Sequence, residues 1–403
     1  MSDIPKKANV NPVPDLCMGC GLCANLCAQQ AIQMEWSETG FLVPRVDSSK
    51  CVGCTLCIRK CPAGKGVYGS ASHVAAPDIW GAWHRDESTR KLSSSGGIFS
   101  ALAEWIISQG GCVFGVVWED ASNAVFAKAE TMQEMQAMRG SKYTQAQVNG
   151  VYREVKKELL RGRKVLFSGT PCQVNALSEF LGKAYDNLLT MDIVCHGVPS
   201  RKLLLKYLDE YRTGKKWVVG LNFRDKEMGW SSFGVRRFYN DGTAAFLPLY
   251  EDLYMQLFLS DSILNASCYQ CPFVGAPRVS DVTLGDFWGI ERYHQDWPLQ
   301  SGVSVVLVHT AKAVRVFSEL QDKVELYPET YENLPVGGIK LHANPKRYQP
   351  DILEKLEKEP LKKIVIEVCD IVRWGPFKVN RKWAIYRMLR AGKRFVYRLL
   401  GKQ

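Results

Sequence analysis

A cysteine spacing that occurs twice near the N-terminus governs what this 403-residue chain can become. Cys17, Cys20, Cys23 and Cys27 follow C-x2-C-x2-C-x3-C, and Cys51, Cys54, Cys57 and Cys61 repeat it with every position displaced by 34 residues, from 17 to 51 and from 27 to 61. A fixed displacement of this kind marks an internal duplication. Three thiolates at i, i+3 and i+6 can wrap one face of an iron–sulfur cube, while the fourth, followed in the second run by Pro62, turns away to the neighbouring cube. The spacing predicts two 4Fe-4S clusters with crossed ligands. Cys17, Cys20, Cys23 and Cys61 would hold one, and Cys51, Cys54, Cys57 and Cys27 the other. A pair of zinc knuckles is the competing structural reading, but tetrahedral zinc sites use two CxxC pairs across a loop, without a third cysteine at matching spacing.

This segment resembles the bacterial dicluster ferredoxins, including GFLVPRVDSSK ahead of the second motif. It departs at Ala28, where that family often has a proline, and keeps Pro62. Residues 1–70 are expected to form a small α+β ferredoxin-like dicluster domain.

The N-terminal MSDIPKKANVNPVPD is polar and proline-rich, and no apolar run approaches the roughly 20 residues of a membrane span. The expected location is the cytoplasm, where fourteen cysteines stay reduced and clusters of them indicate metal or redox chemistry. Beyond the ferredoxin motifs six remain. Cys112, in GGCVFGVVW, and Cys369, in IVIEVCDIV, suit packing positions, where free cysteine acts as a small hydrophobe. Cys172 follows KVLFSGTP, a buried strand, a glycine turn, Thr170 as helix cap and Pro171 at the first helical position. The helix dipole should lower the pKa of a thiol there. Cys195 closes a second strand pattern, LLTMDIVCHGVPS, and SCYQCPF supplies Cys268 and Cys271. Four thiols from three segments hold zinc or a 4Fe-4S cube equally well by spacing, and the neighbouring ferredoxin motifs favour a third cluster.

Apolar runs such as GCVFGVVW, KVLFSG, LLTMDIVC and SVVLVH alternate with helical patterns such as GIFSALAEWII, VYREVKKELL and RKLLLKYLDEY. The alternation predicts an α/β main domain with a substantially parallel or mixed sheet. It is placed at residues 71–345, after the small, polar linker GKGVYGSASHVAAPD.

With GTPCQ, CHGVPS, SCYQCPF and SDVTLGDFWG in order, the region from about Trp80 to His309 resembles the coenzyme F420 hydrogenase/dehydrogenase beta-subunit family. The resemblance implies an iron–sulfur flavin-dependent oxidoreductase with FAD, and Cys172, Cys195, Cys268 and Cys271 as ligands of its cluster. It implies electrons passing from the ferredoxin clusters through the third cluster to FAD, and on as hydride to a small-molecule acceptor. That acceptor is a deazaflavin coenzyme or another organic molecule, since ferredoxin-fused relatives include some associated with surface-polysaccharide synthesis.

Two stretches suit the flavin. In KLSSSGGIFSALAEWIISQGG, Ser93, Ser94 and Ser95 can cap a helix that Gly96 and Gly97 open, leaving N–H groups for a pyrophosphate, or the helix is an ordinary capped one. In MRGSKY, Gly140 permits close approach, Ser141 offers a hydroxyl, Lys142 a cation for reduced flavin and Tyr143 an aromatic face; a solvated turn is the alternative. Asp286, in LGDFWGI, can hydrogen-bond cofactor or substrate. His196, beside Cys195, is a candidate proton donor or a support for its neighbour. FRDKEMGW is expected as a charged surface loop, with Arg224 and Lys226 as the alternative contacts for an acidic substrate.

The net charge of +11 is concentrated at the C-terminus, where residues 371–403 carry ten Lys or Arg and no acid. Residues 346–403 read as a helical tail, with Arg387, Arg390, Arg394 and Arg398 on one face and Ile385, Met388, Leu389, Val396 and Leu399 on the other. Such a helix packs on the main domain, docks an acidic partner, or lies on anionic lipid at the inner face of the membrane. Nucleic acid is excluded, because no binding module accompanies the charge. A redox partner protein or ferredoxin is expected. The competing class is a non-enzymatic electron-transfer subunit that feeds a partner enzyme.

Overall fold

The computed structural model describes residues 16–65, 77–275, 278–334, 347 and 349–371. The basic tail from residue 372 and the side chain of Cys369 lie outside the described residues. Thirteen strands are described: β1 (Ile32–Trp36), β2 (Leu42–Val46), β3 (Asp78–His84), β4 (Cys112–Asp120), β5 (Asn123–Ala129), β6 (Val165–Gly169), β7 (Leu188–Ile193), β8 (Val218–Asp225), β9 (Gly234–Tyr239), β10 (Ala244–Pro248), β11 (Val282–Asp286), β12 (Ser304–Val308) and β13 (Val324–Pro328).

Eight of them form one mixed sheet in the order β13-β3-β12-β11-β7-β6-β4-β5. Its centre is parallel, β4 with β6, β6 with β7 and β7 with β11, and its flanks are antiparallel. The period-two alternation of strand side chains splits the apolar runs between two faces. Val113, Leu166 and Leu189 pack with Ile98, Leu102 and Ile106 of the helix Ile98–Ser108. Phe114, Val165, Phe167 and Leu188 pack with the helices Val151–Leu160 and Pro171–Leu181 on the other face. A sheet covered twice needs continuous apolar strands, and β12, SVVLV, is buried at all five positions.

A second core joins the three-stranded antiparallel sheet β10-β9-β8 to the helices Arg201–Glu210, Leu253–Leu259, Ile352–Lys358 and Leu361–Ile371. The mixed sheet, the small sheet and a separate antiparallel β1–β2 hairpin agree with the expected α/β class.

The first cysteine loop and its helix Leu22–Leu26 are docked on the main sheet rather than tethered beside it. Leu22 is 2% exposed and belongs to the core under the helices Val151–Leu160 and Pro171–Leu181. Arg153 donates to the carbonyls of Ala24, Asn25 and Cys27 at 2.9, 2.9 and 3.1 Å. Gln145 accepts from the Leu42 N–H at 2.8 Å and donates to the Met18 carbonyl. Gly19 makes the approach possible: it has φ +63°, and a Cβ there would lie 2.0 Å from Gln145 Nε2. Among the described residues no helix is long and apolar enough to cross a membrane.

Candidate iron–sulfur centres and the adjoining cleft

The cysteines lie in adjoining neighbourhoods, in which buried thiols are close enough to feel one another's charge. Burial is the first cause of every shift that follows. Cys17 is pushed up by burial and then by Cys61, and Cys23 is pushed up to about 12 by burial, then Cys17 and Cys61. Cys20 is raised by burial, with Cys172, Cys23 and Cys17 adding to it. Cys57 is raised by burial, with Cys54 and Cys27 adding to it. Cys61 is thus a neighbour of Cys17 and Cys23, Cys27 is a neighbour of Cys57, and Cys57 is also a neighbour of Cys23. Cys51 begins the second loop, its N–H bonded to the Asp47 carbonyl at 3.1 Å.

The third neighbourhood gathers Cys172, Cys195, Cys268 and Cys271. Cys172 feels Cys271 and Cys195, while Cys268 feels Cys195, Cys172 and Cys271. Three local structures bring them together. Strand β6 ends at Gly169, Pro171 opens the next helix, and the Gln173 side chain accepts from the Thr170 N–H at 2.9 Å. Cys195 follows β7, and Gly197 (φ +135°) leaves room where a Cβ would meet Leu264 Cδ1 at 2.7 Å. Cys268 lies in the 3-10 turn Ala266–Gln270, whose first residues are held by Asn265.

The helix dipole does not prevail at Cys172: burial pushes its thiol up to about 12, although Thr170 Oγ1 lies 3.1 Å from the sulfur. A helix terminus supplies a fraction of a charge, whereas removing a thiolate from water costs more. Among the described residues no three His, Cys, Asp or Glu side chains converge as a single ion would need.

A cleft of about 290 Å³ opens beside Cys172. Its walls include Met18 and Gly19 of the first cysteine loop, Ser95, Gly97, Gly140, Ser141, Lys142, Tyr143 and Asp286. Most of the sequence-predicted cofactor residues therefore meet in one place. Gly96 does not line it. Its N–H donates to Ser304 Oγ at 2.9 Å, and a Cβ there would stand 2.5 Å from the Ala82 carbonyl. His196 also lies outside, 2.9 Å from Asp261 Oδ1 and edge-on to Phe258.

Several expectations about these side chains change. Ser93, Ser94 and Ser95 do not cap the helix Ile98–Ser108: its N-cap is Gly97 in the left-handed region, with no side-chain cap, and it opens on the cleft. The serines bond elsewhere, Ser93 to the Thr89 carbonyl, Ser94 to Ser141 and Ser95 to the Val303 carbonyl. The Lys142 ammonium is taken by the carbonyls of Ala137, Met138 and Arg139 at 2.9, 3.0 and 2.9 Å, and burial pushes its pKa down to about 7. Tyr143 stacks on Phe258 with centroids 4.8 Å apart.

FRDKEMGW is not a surface loop at its two cations. Arg224 is 4% exposed, donates to Asp286 Oδ1 at 2.9 Å and to the Ser94 carbonyl at 3.0 Å, and lies 3.7 Å over the Phe233 ring. Trp230 Nε1 donates to the same Asp286 oxygen at 2.7 Å. Lys226 donates to the carbonyls of Arg90, Ser95 and Ser301, and burial pushes it down to about 7. No local signal announced these inward contacts. The side-chain hydrogen-bond partners of Arg224 and Lys226 are 62 to 136 residues away in sequence, whereas the Phe233 ring lies nearby.

Duplicated cluster motifs docked on a mixed sheet define an iron–sulfur electron-transfer oxidoreductase-like subunit. Residues 79–153 match the family model for the N-terminal part of the coenzyme F420 hydrogenase/dehydrogenase beta subunit, and residues 162–333 match the model for its C-terminal part. Residues 16–65 match a 4Fe-4S dicluster domain. The chain belongs to the coenzyme F420 hydrogenase/dehydrogenase beta-subunit family, with an N-terminal dicluster domain that supports 4Fe-4S clusters. Among solved structures, a chain of the xenon-derivatised F420-reducing [NiFe] hydrogenase complex from Methanosarcina barkeri aligns with TM-score 0.44 and 16% identity, covering 75% of this chain and 95% of that one. No curated protein matches the chain.

Proposed function

We propose that this chain is an iron–sulfur flavoprotein oxidoreductase, passing electrons from two ferredoxin-type clusters through a third cluster to FAD and on as hydride to an organic acceptor. The observation that carries this reading is the position of Cys172: it is an electrostatic neighbour of Cys20, stands among Cys195, Cys268 and Cys271, and lines the cleft. Clusters move single electrons and a flavin pairs them, which is the chemistry FAD would supply.

The proposed ligands are Cys17, Cys20, Cys23 and Cys61; Cys27, Cys51, Cys54 and Cys57; and Cys172, Cys195, Cys268 and Cys271. The end of the helix Ile98–Ser108, which no side chain caps, would hold the pyrophosphate with Ser95 and Gly97, since a helix N-terminus favours an anion. Gly140–Tyr143 would hold the flavin ring, with Ser141 held through its N–H to Ser94 Oγ at 2.9 Å. Asp286, fixed by Arg224 and Trp230, orients ligand at the β11 end. Gly96 serves by close packing and His196 by supporting the Cys195 turn. The cleft sits at the lower limit of roughly 300–1,000 Å³ usual for cofactor sites, so it suits a ring system with the remainder of FAD along the rim.

A second reading, an electron-transfer subunit feeding a partner enzyme, is favoured by the Lys142 ammonium being engaged by three carbonyls. Anaerobic purification with iron, zinc, sulfide and released flavin measured per chain separates the two. About twelve irons, no zinc and one FAD support the first. About twelve irons without flavin favour the second, and about eight irons with zinc would remove the third cluster from both.

A further inference from the structure

We infer that Arg278 sets the reduction potential of the third cluster, its buried guanidinium raising that potential so that electrons collect beside the cleft. The inference rests on the proposed ligands Cys172, Cys195, Cys268 and Cys271.

Arg278 is 3% exposed, and a buried guanidinium requires compensation by charge and hydrogen bonds. Its Nε donates to the Gly275 carbonyl at 2.8 Å, at the end of the turn that begins at Cys271. Its Nη1 lies 3.7 Å from Asp192 Oδ2. Asp192 is 1% exposed, on β7 just ahead of Cys195, and its other oxygen accepts from Thr283 Oγ1 at 2.5 Å. Thr283 Oγ1 is in turn 2.9 Å from His309 Nε2. The cation is therefore anchored from the turn on one side and from a buried polar chain on the other.

Both anchors belong to segments that carry proposed ligands: Gly275 closes the turn that begins at Cys271, and Asp192 stands on β7 ahead of Cys195. The guanidinium bridges those two segments, so removing its positive charge and removing the Asp192 negative charge should move the cluster in opposite directions.

Reduction adds one electron to a cluster and takes up no atom, so its cost depends on the surrounding charge, hydrogen bonds and exposure. A guanidinium stays protonated at any working pH and, at low local dielectric, favours the more negative state. Cys20 and Cys172 are neighbours and Cys172 lines the cleft, so the proposed third cluster occupies the step between ferredoxin module and cleft.

The test is an EPR-monitored potentiometric titration of the full chain with three clusters loaded, comparing wild type with Arg278→Gln and Asp192→Asn. The expected result is a lowered potential for one cluster in R278Q, with the other two unmoved, and a raised potential for that same cluster in D192N. If R278Q keeps three clusters and titrates as wild type does, or if all three potentials move together, the inference is overturned. Should R278Q not take up its third cluster, D192N decides alone: three clusters with unmoved potentials refute the role. A wild-type protein with about eight irons would instead sink the ligand assignment, whatever Arg278 does.

Discussion

Lys142 lines the cleft while its charge is engaged behind it, and that has a consequence for stability. Burial holds its pKa near 7 against an ordinary value of about 10.4. Below about pH 7 both native and unfolded chains carry the proton, and the native state bears the whole desolvation cost. Between about 7 and 10.4 only the unfolded chain binds it, so the unfolding free energy rises with pH, by up to ~1.4 kcal/mol per unit for this one group. Lys226 is shifted in the same direction and adds to the trend. Lys142→Met removes one share, so its stability relative to wild type should fall as pH is taken from 7 to 9 in urea titrations; a constant difference across that range refutes it. At Cys172 the expectation is compositional. Cys172→Ser should lower iron from about twelve to about eight per chain, with the ferredoxin signals intact.

At the scale of elements, the five-residue helix Leu22–Leu26 is too short to hold itself, and Arg153 binds the carbonyls around its end. Charge-assisted bonds of this kind are worth about 1.5–3 kcal/mol, so Arg153→Ala should loosen the module by that order. Hydrogen exchange should then quicken at residues 20–27 while the helix Pro171–Leu181 stays protected; equal protection in the variant would show that Leu22 packing suffices. The sequence made the central elements legible because β4, β6, β7 and β12 are apolar runs at strand length between helical periods, and the cysteine spacing carries its own geometry. Arg153, Gln145 and Arg224 were not legible, since each acts on a backbone or carboxylate more than 60 residues away. The serine run misled for a different reason: Gly97 adopts a left-handed cap, which directs the serine hydroxyls to other acceptors.

Among the described cysteines Cys54 is exposed, Cys112 is buried and the others are intermediate. Val52 and Ile58 beside Cys54 are 66% and 45% exposed, whereas the first loop is packed on the main sheet. Exposure governs oxidative attack on thiolates, so the cluster assigned to Cys27, Cys51, Cys54 and Cys57 should be lost first. Limited oxidation with ferricyanide and a chelator, followed by alkylation and peptide mapping, reads the order directly. The first about four irons released should coincide with labelling at those four positions, while Cys172, Cys195, Cys268 and Cys271 stay protected. Labelling of the third set first would mean that the cleft admits oxidant more readily than the outer loop, and would place the exposed end of the electron path at the cleft instead. Labelling that mixes Cys27 with Cys17 and Cys20 from the outset would break the crossed ligation itself, because Cys27 would then leave with the loop it follows in sequence rather than with the loop it faces.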